Sequence, residues 1–243
     1  MISLALAIAL TLVSGCAAVQ GKLGWRVKDI VLTPSATVNL YGPDEKIIAS
    51  VPTRAIQHMM LAHLRISAAA NVQTDLFIVE GDEPNAFAGL NEGRRIVGIN
   101  LGMIKLIGER ADEYAALLGH EAAHWAKGHV ESGQMRSQTL KTAGALVGAG
   151  LGLAGVPAAG LIGSLGFDLI EASYSREQER EADAQSIEYV LAGRYDPHGA
   201  LRLHEKLVNA SSGLPLPFLS SHPSGEERMK NLRSLIDAKS APR

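Results

Sequence analysis

The sequence predicts an α+β fold, mostly helical with a small β-sheet, and three observations carry that reading. Helical patterning runs from about residue 52 to 70 and dominates after residue 101. Two β-branched runs, Asp75 to Glu80 and Arg95 to Asn100, flank an irregular Gly-Asp-Glu-Pro-Asn stretch and read as strands of one small sheet. The 243 residues are 47% hydrophobic and 20% charged, which fits a single sizeable core and excludes global disorder. Lys plus Arg (23) nearly balance Asp plus Glu (25), so no nucleic-acid partner is expected. Cys16 is the single cysteine, which rules out an internal disulfide or a site of several thiolates; any metal must be held by His and carboxylate.

The elements follow in order. Residues 2–13 form an apolar run of twelve, the length of a signal-peptide core and short for a membrane span. The following Val13-Ser14-Gly15-Cys16 resembles the bacterial lipoprotein box, although no Lys or Arg precedes the run. That resemblance implies cleavage before Cys16, lipid on its sulfur and a membrane tether, and Ala17 as the next residue favours the outer membrane, on its periplasmic face. The expected division is a signal peptide at 1–15, an anchored segment at 16–50 and the main domain at 51–243. Short alternating runs around Pro34 and Gly42-Pro43-Asp44 predict a hairpin within the second part.

Pro52 opens a helix to about Ala70, and Asp112 and Glu113 open another that reaches about residue 131. Residues 142–167 carry no charge and eight glycines; Pro157 divides them into pieces too short to span a bilayer, so two packed helices or an apolar flap are expected. A long helix is expected from Asp168 to Ala192, stopped by Gly193, and another from Asp196-Pro197. A last one follows Pro223, where Ser224 and Glu227 match a capping box.

Chemistry concentrates at His120-Glu121-Ala122-Ala123-His124. Residues four apart share a helix face, so both imidazoles reach one zinc, while Glu121, about 100° round, stands beside the ion without ligating it. His129 lies about 180° from His120 on a continuous helix and reads as structural. Glu179-Arg180-Glu181-Ala182-Asp183 offers the third ligand: Glu179 suits zinc, and Asp183 on the same face suits the outer N–H of a ligating histidine. The competing view of this stretch is a solvated charged face.

With HEAAH and EREAD come Tyr195-Asp196-Pro197, Ser221-His222-Pro223, Arg228 and Leu232, and Asn85-Ala86-Phe87-Ala88. Together they resemble the HtpX-like and CaaX prenyl protease-like zinc metallopeptidases, gluzincins of metallopeptidase family forty-eight, over about residues 50–236. The resemblance implies a zincin fold whose edge strand faces the cleft, and one Zn2+ per chain held by His120, His124 and Glu179. It also implies Glu121 as catalytic acid/base, and His222 as a further catalytic group near the oxyanion or over the metal at rest. Asn85 and Ala86 would bind the substrate backbone.

The implied activity is a zinc endopeptidase acting on unfolded or misfolded envelope proteins, lipid-anchored to the periplasmic face. The competing function is an outer-membrane assembly factor or chaperone in which zinc is structural and proteolysis minor. Glu121 separates them, because structural zinc needs no carboxylate beside an open position.

Overall fold

The computed structural model describes residues 17–19, 23–133, 174–211, 216–223 and 226–240. Cys16, the uncharged 142–167 stretch and Ser224 lie outside them. The described residues include two small sheets, seven α-helices, a short 3-10 helix (Val27–Asp29) and a helical stretch at 129–133. Strands β1 (Ala17–Val19), β3 (Thr37–Tyr41) and β4 (Ile47–Pro52) form one sheet in the order β1-β3-β4, with the expected hairpin between β3 and β4. The second sheet has the order β2-β5-β7-β6, built from β2 (Trp25–Arg26), β5 (Asp75–Val79), β6 (Ala86–Asn91) and β7 (Arg94–Asn100).

Strand β6 is the edge of this sheet, where the family resemblance implies an edge strand; periodicity alone marks only β5 and β7. Glu92 (φ 51°) and Gly93 (φ 75°) make a tight hairpin from β6 into β7. Phe87 in β6 then covers Gly98 opposite, where any Cβ would meet the ring at 2.3 Å. Asn100 closes the far end of the sheet. Its Oδ1 accepts the amides of Met103 (2.8 Å) and Asn85 (2.9 Å), and its Nδ2 donates to the Glu83 carbonyl (2.6 Å). One side chain thereby caps the short helix α2 (Leu101–Ile107) and pins the approach to β6.

Helix α1 (Thr53–Ala70) stands where the sequence predicts it and packs on α3 (Ala111–Ala126). From Glu113 to Trp125 every residue of α3 is buried, so this helix is the axis of the domain. It stops five residues short of the expected end, because Lys127 caps it and Gly128 turns left-handed at φ +69°.

Helix α4 (Arg176–Ala192) starts at Ser175, not Asp168: Ser175 and Gln178 make a capping box that the sequence reading passed over. Its stop at Gly193 is as expected, but the left-handed residue is Arg194 (φ 62°). Helix α5 (His198–Ala210) begins one residue beyond Pro197, with the Asp196 carboxylate accepting the His198 amide at 3.0 Å. Lys206 on α5 donates to the buried Glu113 of α3 at 2.7 Å, tying the two helices. Helices α6 (Pro217–Ser221) and α7 (Glu226–Ser240) complete the chain. No helix among the described residues is long and apolar enough to cross a membrane.

Helices α3 and α4 approach closely at Gly119, where an added Cβ would lie 2.7 Å from Ser186 Oγ and 3.4 Å from a Val190 methyl. That approach sets the distance between the histidines of α3 and the carboxylates of α4. Gly119→Val is expected to destabilise the domain by roughly 1–3 kcal/mol through overpacking, and to weaken metal binding in parallel. Chemical denaturation and zinc titration of the variant check both effects.

Candidate metal centre

The HEAAH segment occupies the last two turns of α3, so His120 and His124 project from one face toward α4. Their Nε2 atoms lie 3.0 Å apart. Glu179 comes from the first turn of α4: its Oε1 lies 3.2 Å from His124 Nε2 and its Oε2 3.4 Å from His120 Nε2. His222, just past α6, brings its Nδ1 within 3.0 Å of Glu179 Oε1 and 3.1 Å of His120 Nε2. Four donors from three separated stretches of chain therefore converge, and all four residues are buried.

Glu121 lies beside the cluster rather than in it. It is fully buried, both its oxygens lack a hydrogen-bond partner among the described residues, and Oε1 sits 3.6 Å from His222 Nε2. Burial pushes its pKa up, against the pull of positive charge on His222 and His120.

The groups behind the donors are as specific as the donors. Asp183, one turn beyond Glu179 on α4, places Oδ1 3.0 Å from His120 Nδ1. Arg228 of α7 grips Asp183 in a bidentate pair, Nε to Oδ2 at 2.7 Å and Nη2 to Oδ1 at 2.8 Å, and its Nη1 reaches Glu179 Oε2 at 2.5 Å. Tyr174 stacks on the His124 ring with centroids 3.6 Å apart, and Phe218 stacks on His222 at 4.6 Å. The sequence reading had Arg228 only as a motif residue and missed Tyr174 entirely, since neither carries a local signal that ties it to residues 45 or more positions away.

Three tests show that this donor set suits one zinc ion. Tetrahedral zinc with ligands at about 2.0–2.1 Å spaces its donors roughly 3.3 Å apart; five of the six donor pairs here, counting both Glu179 oxygens, lie 3.0 to 3.4 Å apart, and one donor atom from each residue can be chosen so that all lie within 4.8 Å. Three buried carboxylates (Glu121, Glu179 and Asp183) face one buried guanidinium, Arg228, leaving two negative charges that one dication balances. Two imidazoles, a carboxylate and a further nitrogen are also the ligand types zinc takes. Without a dication, part of the charge falls to protons. Burial opposes charge on His120, but Glu179 and Asp183 outweigh it and lift its pKa to about 9, and metal binding displaces that proton. Burial likewise raises Asp183, and the Arg228 charge overrides it and holds the carboxyl below its usual range.

The sequence-predicted Asn85 and Ala86 lie at the start of the edge strand, not in the donor cluster. The Asn85 carbonyl accepts the Asn100 amide at 3.0 Å, so the main chain of Asn85 faces β7, and by alternation the main chains of Ala86 and Ala88 face away from β7, although both residues are buried. Asn85 Oδ1 is buried without a partner among the described residues.

His204 of α5 lines a cavity of about 20 Å³ shared with His120, Asp183 and Arg228. Its Nδ1 is buried without a hydrogen-bond partner among the described residues, and burial, helped by the Arg228 charge, pulls its pKa down to about 3. A histidine buried neutral takes its proton more readily when unfolded, so its contribution to stability is full above pH 6.5 and lost as pH falls toward 3. At pH 4 the loss amounts to about 3 kcal/mol. His204→Leu should flatten the stability profile between pH 6.5 and 4 by about that amount, as read from denaturation midpoints across pH.

A family model described as peptidase family M48 matches residues 51–236. Metalloprotease LoiP of Escherichia coli is 29% identical over 157 residues, which is 63% of this chain and 59% of that protein. Metalloprotease YcaL of Escherichia coli is 28% identical over 152 residues, 63% of this chain and 58% of that protein. The beta-barrel assembly-enhancing protease of Escherichia coli is 29% identical over 179 residues, 70% of this chain and 36% of that protein. The chain thus spans about three fifths or less of the length of these curated relatives. Matched from residue 51 to residue 236, well over half its length, the chain belongs to peptidase family M48.

Proposed function

We propose that the protein is a zinc-dependent endopeptidase of the bacterial cell envelope, with His120, His124 and Glu179 as ligands and Glu121 as the catalytic acid/base. One observation carries this reading: a fully buried carboxylate with no hydrogen-bond partner among the described residues stands beside four converging metal donors. A site that only held structural zinc would have no use for it, and this speaks against the assembly-factor alternative.

Zinc, when bound, polarises the scissile carbonyl and acidifies the attacking water. Glu121 takes the proton from that water as it adds to the peptide carbonyl and delivers it to the leaving amine. Burial raises the Glu121 pKa, which makes it a better base and a competent acid afterwards. Asp183 orients His120 through Nδ1, and Arg228 keeps Asp183 ionised while it is buried and also pairs with Glu179.

His222 lies at the fourth donor position, so in this reading it caps the site at rest and swings aside for substrate, its imidazole then serving the developing oxyanion. Ala86 on the outer strand β6 would pair with an extended substrate, and Asn85 Oδ1 would accept one of its amides. Main-chain pairing accepts many sequences but only unfolded ones. Misfolded envelope proteins are therefore the proposed substrates, in periplasmic quality control.

Relatives named as a beta-barrel assembly-enhancing protease and as bacterial metalloproteases support the envelope setting. The lipoprotein-like Val13-Ser14-Gly15-Cys16 supports a lipid anchor, outer-membrane and periplasm-facing, as the tether.

The test compares wild type with Glu121→Gln and Glu179→Gln as residues 17–243. Wild type should carry about one zinc and cleave casein. Glu121→Gln should keep the metal while losing at least about 100-fold in kcat, the scale of general acid–base catalysis; Glu179→Gln should lose zinc. A Glu121→Gln enzyme as active as wild type would overturn the mechanism. For the anchor, Cys16→Ser should move the full chain from the membrane to the soluble fraction on cell fractionation, and unchanged membrane association would overturn it.

A further inference from the structure

The reading of the sequence left His129 as a structural residue, on the geometry of an unbroken helix. The helix breaks. Gly128, at φ +69°, turns the chain so that His129 folds back beneath the second ligand, with its Nδ1 3.0 Å from His124 Nδ1. His129 is itself buried, and its Nε2 lies 3.2 Å from Glu181 Oε2. The other Glu181 oxygen lies 3.1 Å from Lys127 Nζ. A chain of contacts thus runs from the solvent edge through Lys127, Glu181 and His129 to His124.

Counting protons along this chain determines its direction. A carboxylate only accepts, so Glu181 requires the proton of a neutral His129 to sit on Nε2. The His129 Nδ1 then carries a lone pair, and two nitrogens 3.0 Å apart share one proton, so His124 must donate from its own Nδ1. That leaves the His124 Nε2 lone pair exposed toward Glu179 Oε1 and His120 Nε2, the tautomer a metal ligand needs.

We infer that His129 is a positioning residue that holds His124 in its metal-binding tautomer, with Glu181 fixing the tautomer of His129 in turn. The inference rests on the zinc reading above and adds to it. The two ligand histidines are then supported differently: His120 by the charged Asp183, and His124 by a neutral imidazole whose own carboxylate stands one residue further out. It also gives Glu181, the middle acid of the EREAD segment, a role that neither ligation nor a solvated charged face supplies.

Zinc affinity and imidazole 15N spectra of the full chain, purified in detergent, test this. In competition with a chromophoric chelator, His129→Ala should bind zinc about 10–100-fold more weakly than wild type, the range for lost outer-shell partners. His129→Asn, whose Oδ1 can stand in for Nδ1 as acceptor, should recover part of that loss, and Glu181→Gln should fall between wild type and His129→Ala. In the zinc-loaded wild type, which needs no variant to fold, the 15N spectrum should show His129 protonated at Nε2 and bare at Nδ1.

His129→Ala binding zinc within twofold of wild type, or His129 protonated at Nδ1, would overturn the inference while leaving the zinc reading intact. A wild type that binds no zinc would instead overturn the zinc reading, and this inference with it.

Discussion

Burying three carboxylates next to one another is the condition on which the rest of this molecule depends. Glu121, Glu179 and Asp183 are all withdrawn from water, and a lone buried carboxylate is so unfavourable that it would otherwise take up a proton. Arg228 meets part of the need by bridging Asp183 and Glu179 with one planar guanidinium. The remaining deficit is that of a divalent cation. Helix α7, remote in sequence from the HEAAH segment, is therefore part of the site: it delivers the buried guanidinium of Arg228 that lets α4 bring its acids to α3.

Close helix packing converts this charge balance into geometry. Helix α3 is buried along nearly its whole length, and Gly119 lets α4 approach one residue before the first histidine. At that separation, side chains from both helices meet at hydrogen-bond distance without extended, mobile rotamers. The rings of Tyr174 and Phe218 then clamp His124 and His222 from the other side. Rigid donors behind and beside a metal position are what hold its coordination geometry against thermal motion.

The sheet contributes differently. Strand β6 is held on one side by β7 and through Asn100, so its other edge carries outward main-chain groups beside the helical half of the domain. An edge of this kind is a hazard in most proteins because it templates pairing with other chains. In a peptidase the same property is useful, since an extended peptide is the form in which a scissile bond is presented.

Local sequence determined the elements whose signals lie within a few residues. These are the α+β class, helix α1, the β3–β4 hairpin, the core of α3, and the pairing of His120 with His124 on one face, because helical periodicity and residue chemistry act over four residues or fewer. The helix break at Gly128 and the capping box at Ser175 were also written locally, but were overridden in the reading by longer periodic patterns around them. Strand β6 was legible through the family resemblance at Asn85-Ala86-Phe87 and not through periodicity, because its small residues carry little β-propensity and gain their strand from pairing with β7. Only the tertiary structure brought Arg228 to Asp183 across 45 residues, His222 to His120 across 102, and Glu181 under His129 across 52. Contacts at such separations are selected by packing and charge balance over the whole core, and no local propensity encodes which partners will meet.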